Sequence, residues 1–408
     1  GAGATETPPR DRGPGAEPGE SLPPADPQPE PLTTDEAVEV SSVELDTVFP
    51  VLFKHYDTNP VGKATITNRA EEPISDLEVR LRLNRYMDSP KVSAEIEELP
   101  PGEEKQVDLF ALFTEEMLTI TEGTKIAAEV VVDHAGASDP TARTVTLETY
   151  DRNALRWDDD KKVAAFVTAK DPEIQRFAKN VASISRKEQV DAVSRELQLG
   201  MAQYTALVEH GTSYVVDPSS AYAELSENPL AVDFVQFPRQ TLSFKAGDCD
   251  DLSATYCAML ESVGVETAFI TIPGHIFAAF KLQMGPEEAR RLFESPGNLI
   301  FREDDTVWVP VETTVLDRGF AEAWATGARQ WREHAPKGNA GFFETGAAWS
   351  TYQPVAFTVS DIEVKTPSEQ RISESFSEEL SRFINQQIYP REQRLLERIE
   401  ENPESPRH

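Results

Sequence analysis

The sequence predicts a multidomain protein in which an antiparallel β-sandwich precedes an α+β domain. The first observation is length, because 408 residues exceed the ~100–200 of an ordinary domain. The second is a period-two alternation of apolar and polar residues over 43–150. The third is a helical periodicity that begins near residue 171 and gives way to strand-like runs. Apolar residues make up 39% of the chain, which is enough to build cores.

Charge and cysteine content exclude several classes of protein. The 71 acidic residues outnumber the 39 basic ones and give a formal net charge of −32. Because phosphates are contacted mostly by Lys and Arg, we expect no nucleic-acid partner. No apolar run reaches the ~18 residues of a membrane-spanning helix, so no integral membrane segment is expected. Two cysteines exclude a disulfide-rich scaffold and a zinc site built from four cysteines.

Residues 1–42 are predicted to form a disordered leader. Their first 35 positions contain nine prolines and five glycines, and Leu22 and Leu32 are the only sizeable apolar residues. Such a segment cannot bury enough surface to offset its ordering entropy. Pro-rich stalks often join an export signal or anchor to a folded domain, although a plain flexible tail fits equally well. With Gly1 in place of an initiator Met, we expect an extracytoplasmic location, in the periplasm or at the cell surface.

Residues 43–150 are predicted to form the sandwich. Apolar residues occupy every second position over 77–83, as in a strand with one buried face. Turn-forming pairs such as Asn59-Pro60 and Glu72-Pro73 separate the runs. Several short strands with little helix favour an immunoglobulin-like antiparallel sandwich. We find no catalytic constellation in it and interpret it as a spacer or binding module.

The segment 151–362 is predicted to be a second domain that opens with helices. Asp171 followed by Pro172 is a cap with proline at the first helical position. A second helix is predicted from apolar residues between Val190 and Val208, ending near Gly211. Residues 212–247 are predicted to be irregular, and a loop of that length inside a folded region is often functional.

The next stretch, 245–280, contains a cysteine placed for chemistry. Asp248 is a good helix cap and Asp251 follows three residues later, so Cys249 falls in the first helical turn. Free N–H groups and the helix dipole stabilise a thiolate there, although the adjacent aspartates oppose it. Helix capping explains these aspartates, so we expect no metal and no cofactor. Cys257, on the same predicted helix face, is ~12 Å away along the axis, too far for a disulfide.

A nucleophilic cysteine needs a histidine and a group that orients it. His275 begins an apolar run that predicts a strand, and Glu312 lies at the end of another predicted strand in the segment VWVPVETT. Neighbouring strands lie ~5 Å apart, close enough for a His–carboxylate hydrogen bond. The alternative interpretations are that Cys249 is a buried structural cysteine, that His275 is a core histidine, and that Glu312 is a surface or capping residue. We expect an active pair of Cys249 thiolate and protonated His275.

Three ordered motifs over residues 238–316 resemble a known superfamily. The segments GDCDDLS, PGHIF and WVPVE are similar to those of the transglutaminase-like superfamily of papain-like cysteine enzymes, and most of all to bacterial transglutaminase-like proteins. The resemblance extends from about residue 171 to 355. It implies an α+β transglutaminase-like or papain-like domain with Cys249 as nucleophile, His275 as general base and acid, and Glu312 as orienting acid. Much of the superfamily has Asp where this chain has Glu312.

The resemblance implies acyl transfer through a thioester on a protein or peptide substrate. If water resolves the thioester, the enzyme is a peptidase or amidase, which we expect because water is always present. If an amine resolves the thioester, the enzyme is a transglutaminase that forms isopeptide bonds. A third alternative is a non-catalytic protein that binds peptide or cell-envelope material through a degenerate domain.

The C-terminal segment, 363–408, is predicted to form one amphipathic helix and a frayed tail. Apolar residues recur at helical spacing from Ile372 to Ile388, and Pro390 is expected to end the helix. A stripe of this kind usually docks on its own domain.

Overall fold

The structure is a computed structural model that describes residues 37–216, 228, 230–357 and 362–401. The chain is a mixed α+β protein whose sheets are mainly antiparallel, with strands first and most helices later. The predicted leader lies outside the described residues up to position 36. Within the described ranges, no helix has both the length and the apolar character that a bilayer crossing requires.

Two antiparallel sheets make up the N-terminal part. Their strands are β1 (Val38–Leu45), β2 (Gly62–Asn68), β3 (Ile74–Arg82), β4 (Lys91–Leu99), β5 (Glu104–Leu109), β6 (Thr124–Asp133) and β7 (Thr141–Thr149). The sheet orders are β1-β2-β5 and β4-β3-β6-β7. The alternating residues of β3 are buried as predicted, with Leu77, Val79 and Leu81 at most 1% exposed. The first strand begins at Val38, inside the segment assigned to the leader, because Val38 and Val40 are buried in this core.

The second part of the chain contains the remaining elements. Its helices are α1 (Pro172–Lys187), α2 (Arg195–His210), α3 (Pro238–Phe244), α4 (Cys249–Ser262), α5 (Pro286–Leu292), α6 (Phe320–His334), α7 (Thr345–Ala348), α8 (Glu369–Phe383) and α9 (Tyr389–Glu401). Its strands are β8 (Ala154–Arg156), β9 (Ser213–Tyr214), β10 (Val232–Phe234), β11 (Ala246–Gly247), β12 (Thr267–Ile272), β13 (His275–Leu282), β14 (Ile300–Phe301), β15 (Val307–Val311) and β16 (Gly341–Glu344). A five-stranded antiparallel sheet has the order β14-β15-β13-β12-β16.

The N-terminal part contacts the second part through His55. Its ring stacks on Tyr352 with centroids 5.0 Å apart. The neighbouring Lys54 Nζ donates a hydrogen bond of 3.1 Å to the Pro354 carbonyl. His55 is therefore a packing residue at a contact between the two parts of the chain.

The first two helices follow their predicted signals. Asp171 caps α1 by accepting from the Glu173 N–H, and Gly211 ends α2 with a positive φ of 82°. The start of α2 differs from the prediction, because Ser194 caps it and the preceding Val190 and Val193 lie outside the helix. A side-chain oxygen that accepts from the first-turn N–H groups is a stronger start signal than the apolar spacing.

The predicted irregular region, 212–247, contains regular structure. Strands β9 and β11 pair in parallel, β10 pairs with β8, and α3 precedes the candidate cysteine. The start of α3 is fixed by the Gln240 side chain, whose Oε1 accepts from the Phe237 N–H at 2.8 Å. Pro238 occupies the first position of α3, where its missing N–H costs no helical hydrogen bond. Residues 217–227 and 229 lie outside the described residues.

A buried ion pair fixes α3 against α1. The Arg239 guanidinium makes contacts of 2.5–3.1 Å with both carboxylate oxygens of Asp171. The two side chains are 7% and 0% exposed. Because Asp171 also caps α1, one carboxylate positions both the helix start and the segment that leads to Cys249.

Helix α4 is buried on all sides over most of its length. Every residue from Cys249 to Leu260 is buried. The Tyr256 hydroxyl donates to the Gly200 carbonyl of α2 at 2.9 Å. A Cβ at Gly200 would lie 2.4 Å from the Phe280 ring, so glycine permits α2 to approach β13 closely. Helices on one side and the five-stranded sheet on the other enclose α4.

The C-terminal stripe packs on its own domain, as predicted. Ile372, Phe376, Leu380, Phe383 and Ile388 are buried, and α8 contacts α1 and α2. The predicted stop at Pro390 is wrong, since a π-helical turn, Ile384–Ile388, leads directly into α9. Proline clashes with the carbonyl four residues before it, and that carbonyl belongs to the widened turn, which accommodates the ring.

We expect the Arg239→Ala variant to lose about 3–5 kcal/mol of unfolding free energy, because it leaves the buried Asp171 carboxylate without its cation. Urea titration followed by circular dichroism measures the loss. The control is Arg291→Ala, whose ion pair with Glu287 is 62% and 82% exposed, and which should cost at most about 1 kcal/mol. Equal losses in the two variants would refute the structural role of the buried pair.

Candidate active site

His275 and Glu312 form a short hydrogen bond. The Nε2 of His275 lies 2.6 Å from Oε2 of Glu312. The carboxylate is 1% exposed and the imidazole 20% exposed. Two of the three residues singled out from the sequence are therefore in direct contact.

The sheet brings these two residues together. A two-residue connection, Pro273-Gly274, joins β12 to β13, and Gly274 has the positive φ of 69° that the third position of a type II turn requires. His275 is then the first residue of β13. The next strand in the sheet, β15, pairs Val311 with Ala278 and ends immediately before Glu312.

The Glu312 carboxylate is held by a second set of donors. Its Oε1 accepts from the Thr314 N–H at 3.0 Å and from the Thr314 hydroxyl at 2.7 Å. Glu312 therefore also caps the short 3₁₀ helix Thr313–Arg318. Burial by itself raises the pKa of Glu312, but the hydrogen bonds from His275 and Thr314 outweigh it and leave the pKa below its usual value. The carboxylate is ionised beside the imidazole.

The imidazole has one nitrogen left for a reacting partner. Because Nε2 donates to Glu312, Nδ1 is the ring nitrogen free to accept a proton. The ring stacks on Phe277 at a centroid distance of 6.0 Å and an angle of 25°. Packing and hydrogen bonding together fix the orientation of the ring.

Cys249 begins α4, as predicted, with Asp248 and Asp251 completing a reciprocal capping box. The residue is buried, at 5% exposure, and its thiol lies against the backbone N–H of Ile276, the residue that follows His275. Burial, and then the Asp248 carboxylate and Glu312, raise the pKa of Cys249 well above its ordinary value, although the N–H groups of Ile276 and Cys249 oppose the rise. The raised pKa favours the neutral thiol at rest. The Cys249 thiolate paired with protonated His275 stays a prediction for the active form.

The three predicted residues do not form a continuous hydrogen-bonded chain. Within the described residues, no hydrogen bond joins the Cys249 thiol to the His275 imidazole. The thiol instead contacts the peptide unit that follows His275. Catalytic hydrogen bonds are often long before substrate binds, so this geometry is compatible with a proton transfer that tightens on binding.

Ser253 connects the three elements that carry the predicted residues. It lies one turn after Cys249 on α4, and its hydroxyl is 3.5 Å from the Ile276 carbonyl of β13. The same hydroxyl is 3.2 Å from that of Thr313, the residue after Glu312. The sequence places Ser253 on the helix but gives no signal for this role, since it depends on the pairing of distant strands.

Tyr214 is a residue near the site that sequence reasoning missed. Its strand, β9, pairs with β11, which ends two residues before Cys249, and Val215 N donates to Gly247 O at 2.9 Å. Partial burial, followed by the charges of Cys249, Asp248 and Glu312, raises the pKa of Tyr214. The phenol is 43% exposed, so it lies at the solvent edge of the site.

The acidic residues around Cys249 have the spacing of a small metal site. The ligand atoms of Asp248, Cys249 and Asp250 lie within 4.8 Å of one another. Burial, and then the nearby Asp248, raise the pKa of the fully buried Asp250 well above its usual value. A neutral carboxylic acid and a neutral thiol are weak metal ligands. Helix capping already accounts for Asp248 and Asp251.

Comparisons with known proteins assign no family. Neither the protein-family models nor the curated proteins give a match. Among solved structures, the chain is similar to the solution structure of a protein described as late embryogenesis abundant (LEA), at 11% identity and a TM-score of 0.18. The match covers 27% of this chain and 67% of that one, and a likeness this weak carries no functional argument.

We expect the Asp248→Asn variant to lower the pKa of Cys249, because asparagine preserves the cap and removes the nearest charge that opposes the thiolate. Iodoacetamide alkylation of Cys249, followed by mass spectrometry across pH, should accelerate near neutrality by about tenfold for each pKa unit recovered. In the native protein the alkylation rate should continue to rise with pH beyond about 8.5, the pKa of a free cysteine.

The matched control for this experiment is Asp191→Asn, which removes the same charge from an exposed position. It should leave the alkylation profile unchanged. A native profile with its midpoint below that of free cysteine would contradict the raised thiol pKa.

Proposed function

We propose that the protein is a cysteine-dependent acyl-transfer enzyme of the transglutaminase-like superfamily, acting on peptide or amide bonds. The observation that carries the proposal is the 2.6 Å bond between His275 and Glu312 beside the helix that begins at Cys249. The three residues come from three distant motifs. The contact of the Cys249 thiol with the backbone N–H of Ile276, the residue after His275, supports the proposal. A buried, ionised carboxylate on an imidazole is the pairing that a cysteine nucleophile needs.

The proposed reaction starts from the neutral thiol. His275 Nδ1 takes the thiol proton as Sγ bonds to the substrate carbonyl carbon, and the carbonyl electrons move onto oxygen. The Cys249 N–H, at the free end of α4, donates to that oxyanion. The oxyanion then collapses, the C–N bond breaks, and His275 returns its proton to the leaving amine. Glu312 stabilises the imidazolium throughout.

The resulting thioester is resolved by an incoming nucleophile. We propose hydrolysis, in which His275 takes a proton from water as the water oxygen bonds to the thioester carbon and the carbonyl electrons move onto oxygen. The oxyanion then collapses, the C–S bond breaks, and His275 returns its proton to the leaving sulfur, which releases the acid and regenerates the Cys249 thiol. The enzyme is then a peptidase or amidase. Transfer to an amine, which would make it a transglutaminase, differs only in the nucleophile that enters.

We further propose that the N-terminal part is an immunoglobulin-like sandwich that acts as a spacer or as a binding module. The strand orders β1-β2-β5 and β4-β3-β6-β7 support it, since crossing from one sheet to the other between β2 and β3 and again between β4 and β5 is typical of such folds. A protein or peptide is the proposed partner of the second part.

We expect Cys249→Ala and His275→Ala each to lower kcat/KM by a factor on the order of 10³ or more, because each removes a group that forms or transfers a bond. Glu312→Gln should cost less, since an amide still orients the imidazole but stabilises its cation poorly. Release of fluorescent peptides from labelled casein measures hydrolysis, and incorporation of a dansylated alkylamine measures amine transfer.

Cys257→Ala is the control for these variants, because Cys257 is buried in the core at 1% exposure and lies two turns further along α4. It should retain activity. Turnover that survives Cys249→Ala would end the nucleophile assignment. Peptide binding without turnover in the native protein would favour the non-catalytic alternative, and amine incorporation without hydrolysis would favour the transglutaminase.

We also propose an extracytoplasmic location, which rests on the Pro-rich leader at 1–42 and the acidic surface. Fractionation of cells that express the full-length gene should recover the protein in the periplasm or at the cell surface. Recovery in the cytoplasm alone would contradict this location.

A further inference from the structure

A cavity of about 530 Å³ lies at the opposite end of α4 from Cys249. Helices α1 and α2 form its walls, and Ser262 and Val263, where α4 ends, close one side. The 14 residues of α4 correspond to about 21 Å at 1.5 Å per residue. The cavity is therefore separate from the candidate active site and has the size of a small-molecule pocket.

Three cations line this cavity and no acidic residue does. Lys179 and Arg186 project from α1, and Arg195 projects from the start of α2. This local charge contrasts with a chain that carries 71 acidic and 39 basic residues. In a protein with so many acidic residues, a cavity whose charged lining residues are all basic is unexpected and needs an explanation.

The cations are largely free to bind a ligand. Within the described residues, Lys179 and Arg186 make no ion pair or hydrogen bond. Arg195 is oriented by a bond of 2.9 Å from Nη2 to the Val263 carbonyl, and its only acidic contact is Glu196 at 3.8 Å. Exposed arginines elsewhere in the chain, such as Arg291 and Arg382, are paired with glutamates.

The remaining lining adds neutral hydrogen-bonding groups. Ser185, which is buried, and Gln189 lie on or just beyond α1, and Ser262 lies at the far wall. Guanidinium groups bind carboxylates and phosphates through paired N–H donors, and hydroxyls complete such sites. A polyanion such as nucleic acid is disfavoured by the net charge of −32, whereas a small anion experiences mainly the local field.

We infer that this cavity is a binding site for a small multivalent organic or inorganic anion that carries phosphate or carboxylate groups. Lys179, Arg186 and Arg195 neutralise its charge, and the serine hydroxyls donate hydrogen bonds. The site is independent of the proposed acyl-transfer chemistry.

Isothermal titration of the full chain with inorganic pyrophosphate and, separately, with citrate tests this site. We expect a dissociation constant below about 1 mM at low salt, and affinity that falls as ionic strength rises. Binding of pyrophosphate alone identifies phosphate as the recognised group, binding of citrate alone identifies carboxylate, and binding of both identifies a general site for multivalent anions.

Arg186→Gln should weaken binding by about fivefold or more, a loss of roughly 1 kcal/mol. The matched control is Lys187→Gln, which removes the same charge from the next residue of α1, one that pairs with Glu369 and does not line the cavity. It should change the affinity less than twofold. Absence of heat with both anions up to about 10 mM, or equal losses in the two variants, would overturn the inference.

Discussion

The burial of α4 from Cys249 to Leu260 is the constraint on which the rest of the second part depends. Because this part of the helix has no solvent face, several of its polar groups hydrogen-bond to neighbouring elements, although the Thr255 hydroxyl has no partner within the described residues. Tyr256 bonds to α2, Ser253 to the strand of His275, and Asp248 and Asp251 close the helix start. Because these ties come from different turns, the helix cannot rotate or slide without breaking several of them. The position of Cys249 relative to the sheet is fixed by this packing.

Much of this arrangement could be predicted from the sequence, because the residues that start and end its helices act locally. Asp171-Pro172, Gly211 and the aspartates around Cys249 act within a few residues, and each marks the helix boundary that it was expected to mark. The contact between His275 and Glu312 is longer in range, but it follows from placing each residue at the end of a strand. The features that were not predicted depend on pairing between distant segments, as with Tyr214, Ser253 and the regular structure within 212–247. The continuation of the C-terminal helix past Pro390 was not predicted for a different reason: helix propensity argues against it, whereas the widened π-helical turn directly before it accommodates the proline ring.

Electrostatics separates the two ends of α4. At its start, buried carboxylates surround the thiol and disfavour a second negative charge, while Glu312 remains ionised because donors compensate it. At its end, three cations line a cavity whose lining contains no acidic residue. A single net charge for the chain therefore describes neither environment. The sequence supplies the composition, and the fold decides which charges face each other.

The neutral thiol at Cys249 has a consequence for the chemical durability of the protein. Peroxides and disulfides attack thiolates far faster than thiols, so a cysteine held in its protonated form resists oxidation to sulfenic acid and the irreversible products beyond it. The second cysteine, Cys257, is equally protected, since burial raises its pKa to about 12. Two helical turns separate the pair, which prevents them from closing a disulfide. Both sulfurs are thus held in the form that oxidants attack most slowly.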